Sequence, residues 1–484
     1  MPAKERAAPH GGVGSAARIT VPRVVVSSYR GKGGKTLATM AILAAFTGAG
    51  LRVSAFKNGP DFIDPGHHAA VLGSPSRNLD VVLMGDRVVE RFHRYSRDSE
   101  LAVIEGNHGL YDSADGLSEI GSTAQLAKLL HAPVLLVIDA ERSNRTLGAL
   151  VRGLRVFDPD VRCIAAIVTN AVPRQFDRVR AIVEQEGLPV VGILPRDEAI
   201  GAQMEYRHLG LVPIAEGAQG PPVVELIRSR FASRIDTGPL LKRIREANEP
   251  VPVRTRSAAP VSKHRPFRLG FLAGRPFTFY YPEMLERARE LGSVAMIDPE
   301  TDSALPPLDL LVIGGGFPEV YARTLERNRS LRAAVRSFVD GGGRVYAECG
   351  GLMYLTDAIV TREGRFEMVG AIHGETVQEV RPVAHGYARA RVVRDTPFAS
   401  RGTLLQGHEF HYSRVDLAEP YDLALAYEHG RGLSDGKDGI RVKNLYAHYL
   451  HLHPETLSVL DAILGTASVG RAPRAPPRTG GKEP

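Results

Sequence analysis

The chain has 484 residues, 43% of them hydrophobic and 24% charged, a globular balance that excludes a mainly disordered, collagen-like or disulfide-stapled chain. At roughly 150 residues per domain, the length predicts about three domains or two large ones. Lys and Arg exceed Asp and Glu by 61 to 54, a net charge of +7 that suits an anionic substrate without demanding nucleic acid. Two cysteines fit a reducing cytosol. No apolar run approaches the ~20 residues of a membrane helix, and the N-terminal stretch MPAKERAAPHGGVGSAAR lacks a signal peptide's apolar block. A cytoplasmic protein is expected.

In chain order, residues 1–20 read as a disordered tail. Apolar, β-branched runs follow at Ile19–Ser27, Val53–Phe56, Leu101–Glu105, Pro133–Asp139 and Cys163–Thr169, each trailed by a helix-like stretch. That alternation predicts βαβ units around a mainly parallel sheet, an α/β domain over 21–239. Residues 240–266, including EANEPVPVRTRSAAPVSKHRP, read as a linker. The alternation restarts at Phe267–Ala273, Val294–Ile297, Leu308–Ile313 and Gly343–Ala347, with helices at Pro282–Leu291 and Ser330–Asp340. A second α/β domain is expected over 267–466, and residues 467–484 read as a tail.

Strand Arg23–Ser27 runs into Ser28-Tyr29-Arg30-Gly31-Lys32-Gly33-Gly34-Lys35-Thr36 and an apolar helix. The end of this run fits the phosphate loop G-x-x-x-x-G-K-[ST], although Tyr29 stands where the first Gly belongs. Gly31, Gly33 and Gly34 let backbone N–H groups converge on phosphate oxygens at a helix N-terminus. Lys35 would reach the β- and γ-phosphates, and the Thr36 hydroxyl would hold Mg²⁺. After the next strand come Lys57-Asn58-Gly59-Pro60-Asp61-Phe62-Ile63-Asp64-Pro65-Gly66-His67-His68, a constrained loop where α/β sheets bind ligands. Asp61 and Asp64 there either orient Mg²⁺ or a nucleophile, or form a solvated Asx-turn. His67 and His68 read as structural or substrate-facing. Glu105 closes the apolar strand Leu101–Glu105, the place of a carboxylate that holds Mg²⁺ beside a phosphate loop.

In the second half, strand Arg344–Ala347 leads into Glu348-Cys349-Gly350-Gly351. Small residues on both sides of Cys349 suit a nucleophile on a tight strand-to-helix turn, with the next backbone N–H facing an oxyanion. Gly314-Gly315-Gly316 could add further N–H groups. A Cys nucleophile needs an imidazole base, and His448, His451 and His453 are all candidates. Cys163, inside an apolar strand, reads as inert core.

With these motifs in view, the chain resembles the cobyrinate a,c-diamide synthases, glutamine-dependent amidotransferases joined to a dethiobiotin-synthetase-like ATPase domain. The similarity runs from about Arg23 to Glu455. It is carried by Gly59–Gly66, Pro75–Asp80, Phe279-Tyr280-Tyr281-Pro282, Gly314–Glu319, Tyr346–Tyr354, Gly407–Ser413 and Arg207-His208-Leu209-Gly210-Leu211. The resemblance implies a P-loop NTPase-like domain and a glutamine amidotransferase-like domain. It implies that two carboxylates of a corrin-type tetrapyrrole become amides, with ATP as co-substrate, Mg²⁺ as cofactor and glutamine as nitrogen donor. Cys349 would attack glutamine with His451 as base and His453 as rival, and Gly316 and Gly350 would serve the oxyanion. Lys35, Thr36, Lys57 and Glu105 would carry phosphates and metal, and Asp61 and Asp64 would assist carboxylate activation and metal placement. Tyr29, Phe62, Asn107-His108 and Asp112-Ser113 depart from the family's common choices, which leaves sirohydrochlorin-type rings as an alternative substrate. A non-catalytic ATPase switch with an inert glutaminase-like module is the alternative of another class. The expected partners are small molecules, with no nucleic acid and no membrane, and a homodimer is the assembly to test.

Overall fold

A computed structural model describes residues 17–204, 206–207, 210–211, 220–253 and 265–466. They fall into two compact units, the first holding 17–204 and 221–253 and the second 206–207, 210–211, 220 and 265–466. Of the string Arg207–Leu211, His208 and Leu209 lie outside the described residues, as do 1–16, 254–264 and 467–484.

The first unit is built on a seven-stranded sheet. Its strands are β1 (Arg23–Ser28), β2 (Val53–Asn58), β3 (Arg77–Leu79), β4 (Leu101–Glu105), β5 (Val134–Asp139), β6 (Cys163–Ala171) and β7 (Val190–Pro195). They lie in the order β3-β2-β4-β1-β5-β6-β7, every pair parallel. The stretches VVV, LAVI and VLLVI within these strands are apolar throughout because a parallel sheet is covered on both faces. Helix α1 (Lys35–Gly48) is apolar on almost every side, as a helix enclosed by other elements must be. The carboxyl ends of β1, β2 and β4 are neighbours, so their loops meet at one edge, where ligands of such sheets bind.

Two expected boundaries are corrected. Residues 240–247 are not linker: they lie in helix α3 (Thr237–Ala247), with Leu240 and Ile244 buried. The following turn is tied down too. The buried Arg23 guanidinium donates to the carbonyls of Leu130 and Glu249, both at 2.6 Å, and the Asn248 amide donates to the Arg23 carbonyl at 2.9 Å. Nor is all of 1–20 tail, since Arg18–Ile19 pairs antiparallel with Val251–Pro252. The Asn248–Glu249 turn and the strand Arg18–Ile19 give no periodic signal because partners more than 220 residues away hold them, whereas Leu240 and Ile244 stand four apart as on any amphipathic helix.

The second unit contains β8 (Phe267–Leu272), α4 (Pro282–Leu291), β9 (Gly292–Ile297), β10 (Leu310–Ile313), α5 (Arg329–Asp340), β11 (Val345–Glu348), α6 (Gly350–Leu355), β12 (Ile440–Val442) and β13 (Leu445–His448). The sheet order is β9-β8-β10-β11-β13-β12, with only β12 antiparallel. Alternation along the strands divides the core. Leu311, Ile313, Val345 and Ala347 join Leu331, Val335 and Val339 of α5, while Leu310, Val312 and Tyr346 join Met284, Ala288 and Leu291 of α4. Between α6 and β12 the chain builds most of a four-stranded and a five-stranded sheet, in which antiparallel pairing predominates. One strand of the latter, Leu404–His411, is paired by the two-residue strand His451–Leu452.

Candidate active sites

In the first unit the turn after β1 places Gly34 at the N-cap of α1 with φ 82°, a left-handed backbone that glycine adopts without strain. An added Cβ at Gly33 would stand 2.3 Å from Ser28 Oγ, so the loop folds tightly on its own strand. Lys35 Nζ donates to the carbonyls of Arg30 (3.1 Å) and His108 (2.6 Å), which puts its ammonium over the loop that begins with Gly31. Burial, then the nearby Lys57 charge, lowers Lys35 to about 8, against the pull of Glu105 and Asp64.

The Thr36 hydroxyl donates to Glu105 Oε1 at 2.8 Å and lies 3.3 Å from Asp64 Oδ1. Lys57 Nζ donates to Asp64 Oδ2 (2.5 Å), Glu105 Oε1 (3.2 Å) and the Gly106 carbonyl (3.1 Å), and stands 3.8 Å from Asp61 Oδ2. Burial alone would raise Glu105, but the Lys57 charge and hydrogen bonds from His68 and Thr36 hold it below the carboxylate range. Burial, with the neighbouring Asp61 and Glu105 charges, pushes Asp64 up. Burial would lower Lys57, but Asp64, Glu105 and Asp61 hold it above its ordinary value. Lys35, Thr36, Lys57, Asp64 and Glu105 therefore form one cluster.

Asp61 belongs to it more loosely. Its Oδ1 accepts the N–H groups of Ile63 (2.7 Å) and Asp64 (3.1 Å), the Asx-turn alternative, which starts helix α2 (Ile63–Leu72). His68 has a part the sequence did not reveal. Its Nε2 bonds Glu105 Oε2 at 2.6 Å and its Nδ1 bonds Ser76 Oγ at 3.0 Å, so the second Glu105 oxygen is held inside the protein. The spacing of 37 residues between His68 and Glu105 carries no local signal.

Mg²⁺ takes hard oxygen donors, usually one or two carboxylates plus substrate phosphates. The Thr36 hydroxyl with the Asp64 and Glu105 carboxylates is such a set, gathered within 3.3 Å of one hydroxyl. Among the described residues no group of three His, Cys, Asp or Glu is placed to hold a metal by itself.

In the second unit Cys349 is buried at the end of β11 with φ 47° and ψ −103°, a strained geometry that costs about 1–3 kcal/mol and collects at functional sites. Its N–H donates to the His448 carbonyl at 2.8 Å. A Cβ on Gly350 would meet Gly316 N at 3.0 Å, and one on Gly351 would meet the Ile313 carbonyl at 2.2 Å. The turn therefore packs directly on the backbone of Ile313 and Gly316, leaving no room for a side chain at Gly351 and little at Gly350.

The three candidate histidines separate. His451 lies within electrostatic reach of Cys349, and its Nδ1 lies 3.2 Å from Glu348 Oε2. Burial would lower His451, but Cys349 and Glu348 raise it to about 10. His448 packs against Tyr346, Phe398 and Tyr446, and burial brings it down to about 4. His453 accepts the Glu455 N–H at Nδ1 (3.0 Å), with its ring 4.2 Å from that of Tyr281. Cys163 lies partly buried in β6, and burial pushes its thiol up to about 12.

The fold and these two clusters define a class: a nucleotide-binding domain and a glutamine amidotransferase domain in one chain. Residues 24–209 match the CobQ/CobB/MinD/ParA nucleotide binding domain, and residues 268–457 match the CobB/CobQ-like glutamine amidotransferase domain. The chain is 38% identical over 439 residues to the cobyrinate a,c-diamide synthase of Archaeoglobus fulgidus, covering 90% of this chain and 95% of that one. It is 38% identical over 470 residues to the hydrogenobyrinate a,c-diamide synthase of Streptomyces coelicolor, covering 90% and 94%. The chain belongs to the cobyrinate a,c-diamide synthase family.

Proposed function

We propose that the enzyme converts the a and c side-chain carboxylates of a corrin-type tetrapyrrole acid, cobyrinate or hydrogenobyrinate, into amides for cobalamin biosynthesis, using ATP and glutamine. The observation that carries this reading is the presence in one chain of a phosphate-loop cluster, Lys35, Thr36, Lys57, Asp64 and Glu105, and a thiol–imidazole pair, Cys349 and His451. The relatives' names supply the substrate class.

A carboxylate is a poor electrophile, and phosphorylation makes it an acyl phosphate that ammonia attacks. The N–H groups of Gly31, Gly33 and Gly34 cradle the phosphates. Lys35 offsets charge on the β- and γ-phosphates, and Lys57 stabilises phosphate charge beside Asp64. Thr36, Asp64 and Glu105 would hold Mg²⁺, which supplies further charge neutralisation when bound. Asp61 shapes the turn that presents Asp64. In the second unit Cys349 attacks the glutamine amide and His451 moves the proton. The N–H groups of Gly316 and Gly350 face the developing oxyanion, ammonia leaves with the proton that His451 returns, and water hydrolyses the remaining glutamyl thioester to glutamate and free thiol.

We infer a cytoplasmic enzyme from the scarcity of cysteine. Among the described residues, no helix is long and apolar enough to cross a membrane. A homodimer is tested by light scattering. Mass spectrometry of products from a panel of tetrapyrrole acids, with ATP, Mg²⁺ and glutamine, tests the function. The expected result is a diamide of cobyrinate or hydrogenobyrinate, and product formed only from sirohydrochlorin-type rings rejects it.

A further inference from the structure

A base that serves a thiol needs its far ring nitrogen held protonated, so that the near nitrogen faces the nucleophile. His453-Pro454-Glu455 offers a carboxylate two residues beyond a histidine. There the backbone N–H of Glu455 donates to the ring's Nδ1. A different carboxylate meets His451. Glu348 Oε2 lies 3.2 Å from His451 Nδ1, while Glu348 Oε1 accepts the Tyr346 hydroxyl at 2.5 Å and the Leu452 N–H at 3.4 Å. Both oxygens are engaged, so the carboxylate is fixed in rotation. With Nδ1–H donated to Glu348, Nε2 is the nitrogen left for Cys349.

The backbone explains how neighbours in sequence reach one ring. Successive side chains of a strand point to opposite faces, whereas residues two apart share a face. Tyr346 and Glu348 obey this and bond to each other. Glu348 and Cys349 could not both address His451 from a regular strand. The φ 47°, ψ −103° turn at Cys349 breaks the alternation and brings its thiol to the same imidazole.

We propose that Glu348, the residue immediately before the nucleophile, is the positioning carboxylate of the glutaminase site, and that Tyr346 holds it in place. This rests on the assignment of Cys349 and His451 as the thiol–imidazole pair. Glu348 acts through His451 and takes no part in the bond formed to sulfur or in the C–N bond broken. The charged and titratable groups around His451 are consistent with that part. From the end of β11 comes Glu348, and from the turn after it Cys349. From the strand Leu404–His411 comes His408, its ring stacked 5.0 Å from that of His451, and from β13 comes His448. Burial holds His408 and His448 well below the ordinary histidine value, so both are neutral and Glu348 is the carboxylate that balances an imidazolium.

The test uses the full-length protein with ATP, Mg²⁺ and the tetrapyrrole acid, scoring glutamate release and amide formation. Glu348→Gln keeps the shape and loses the charge. It should lower kcat for glutamine by about 10²-fold or more, with KM for glutamine within roughly threefold. The pH limb that reports loss of the His451 proton should move to lower pH. Amidation with saturating ammonium should continue, and Glu348→Asp should restore part of the glutamine rate. Tyr346→Phe should give a smaller kcat loss of the same kind, and it decides the matter if Glu348→Gln does not fold. Near-parent kcat and an unmoved pH profile in these variants, while Cys349→Ser abolishes glutamine use, would overturn Glu348 and leave the thiol assignment standing. If Cys349→Ser itself retains glutamine use, the assignment beneath the proposal fails instead.

Discussion

Gly315 gives the sharpest local test of where His451 stands. Its backbone pairs with Phe279, whose N–H donates to the Gly315 carbonyl at 3.0 Å, and its φ is not in the left-handed region. Alanine is therefore acceptable to the backbone, and any effect must come from one added methyl group. That Cβ would stand 2.5 Å from His451 Cε1, 3.3 Å from His451 Nε2 and 3.0 Å from Phe279 Cδ2. Carbon atoms rest about 3.5–4 Å apart, so the imidazole must retreat by about 1 Å. A displacement of about 1 Å at a reacting group costs about 10²-fold in rate, and overpacking costs about 1–3 kcal/mol in stability. Gly315→Ala should thus lower glutamine-driven kcat by about 10²-fold and leave ammonium-driven amidation intact. Gly153→Ala, in the helix Thr146–Val156, is the control: apart from its own helix backbone, no atom lies within 4 Å of the added Cβ, and the exchange should raise helix stability by about 0.5–1 kcal/mol. A Gly315→Ala protein that hydrolyses glutamine within about threefold of the parent would refute the placement of the ring.

Cys349→Ser should lose glutamine-driven amidation and keep the ammonium route, whereas Lys35→Ala should lose both, because both need the acyl phosphate. Product mass with each nitrogen donor checks this, and near-parent ammonium activity in Lys35→Ala would contradict it. His451→Ala should reduce glutamine hydrolysis by about 10²-fold or more, and His453→Ala by much less. The reverse order in a glutamate-release assay would reassign the base. Lys35, lowered to about 8 by burial and Lys57, is charged below that pH and neutral above it. Nucleotide affinity of the free enzyme should therefore fall as pH rises through about 8, and Lys35→Arg should flatten that decline. A fluorescent ATP analogue titrated across this range reads the effect.

Most parallel strands of both units are legible because each is a short apolar run ending in a turn; Arg77–Leu79, with two polar residues of three, is not. Helix Pro282–Leu291 was read to the residue, its start marked by proline at the first position. The phosphate loop and the Cys349 turn were legible because their chemistry is local: glycines, a reactive side chain and a helix start in a few residues. What the sequence hid is non-local. Glu348 stands beside Cys349 in the sequence, yet its partner His451 is 103 residues away and meets it because β13, paired with β11, ends just before it and Leu404–His411 pairs with His451–Leu452. His68 gives no hint that it holds Glu105. The antiparallel sheets from Thr356 to His429 are not legible because the helix–strand rhythm stops there and the strands are half polar: IHGETVQ has no clean alternation, and RVDL alternates over only four residues.

Glutamine carrying a heavy nitrogen in its side-chain amide puts the central claim to its most direct test. Parent enzyme, ATP, Mg²⁺ and cobyrinate or hydrogenobyrinate should give a diamide with labelled nitrogen at both positions. Unlabelled ammonium added to Cys349→Ser should give the same diamide without label. A product that carries no label from glutamine in the parent enzyme, or no amide at all from either ring, would contradict the claim that one chain joins a glutaminase to an ATP-dependent carboxylate-activating site.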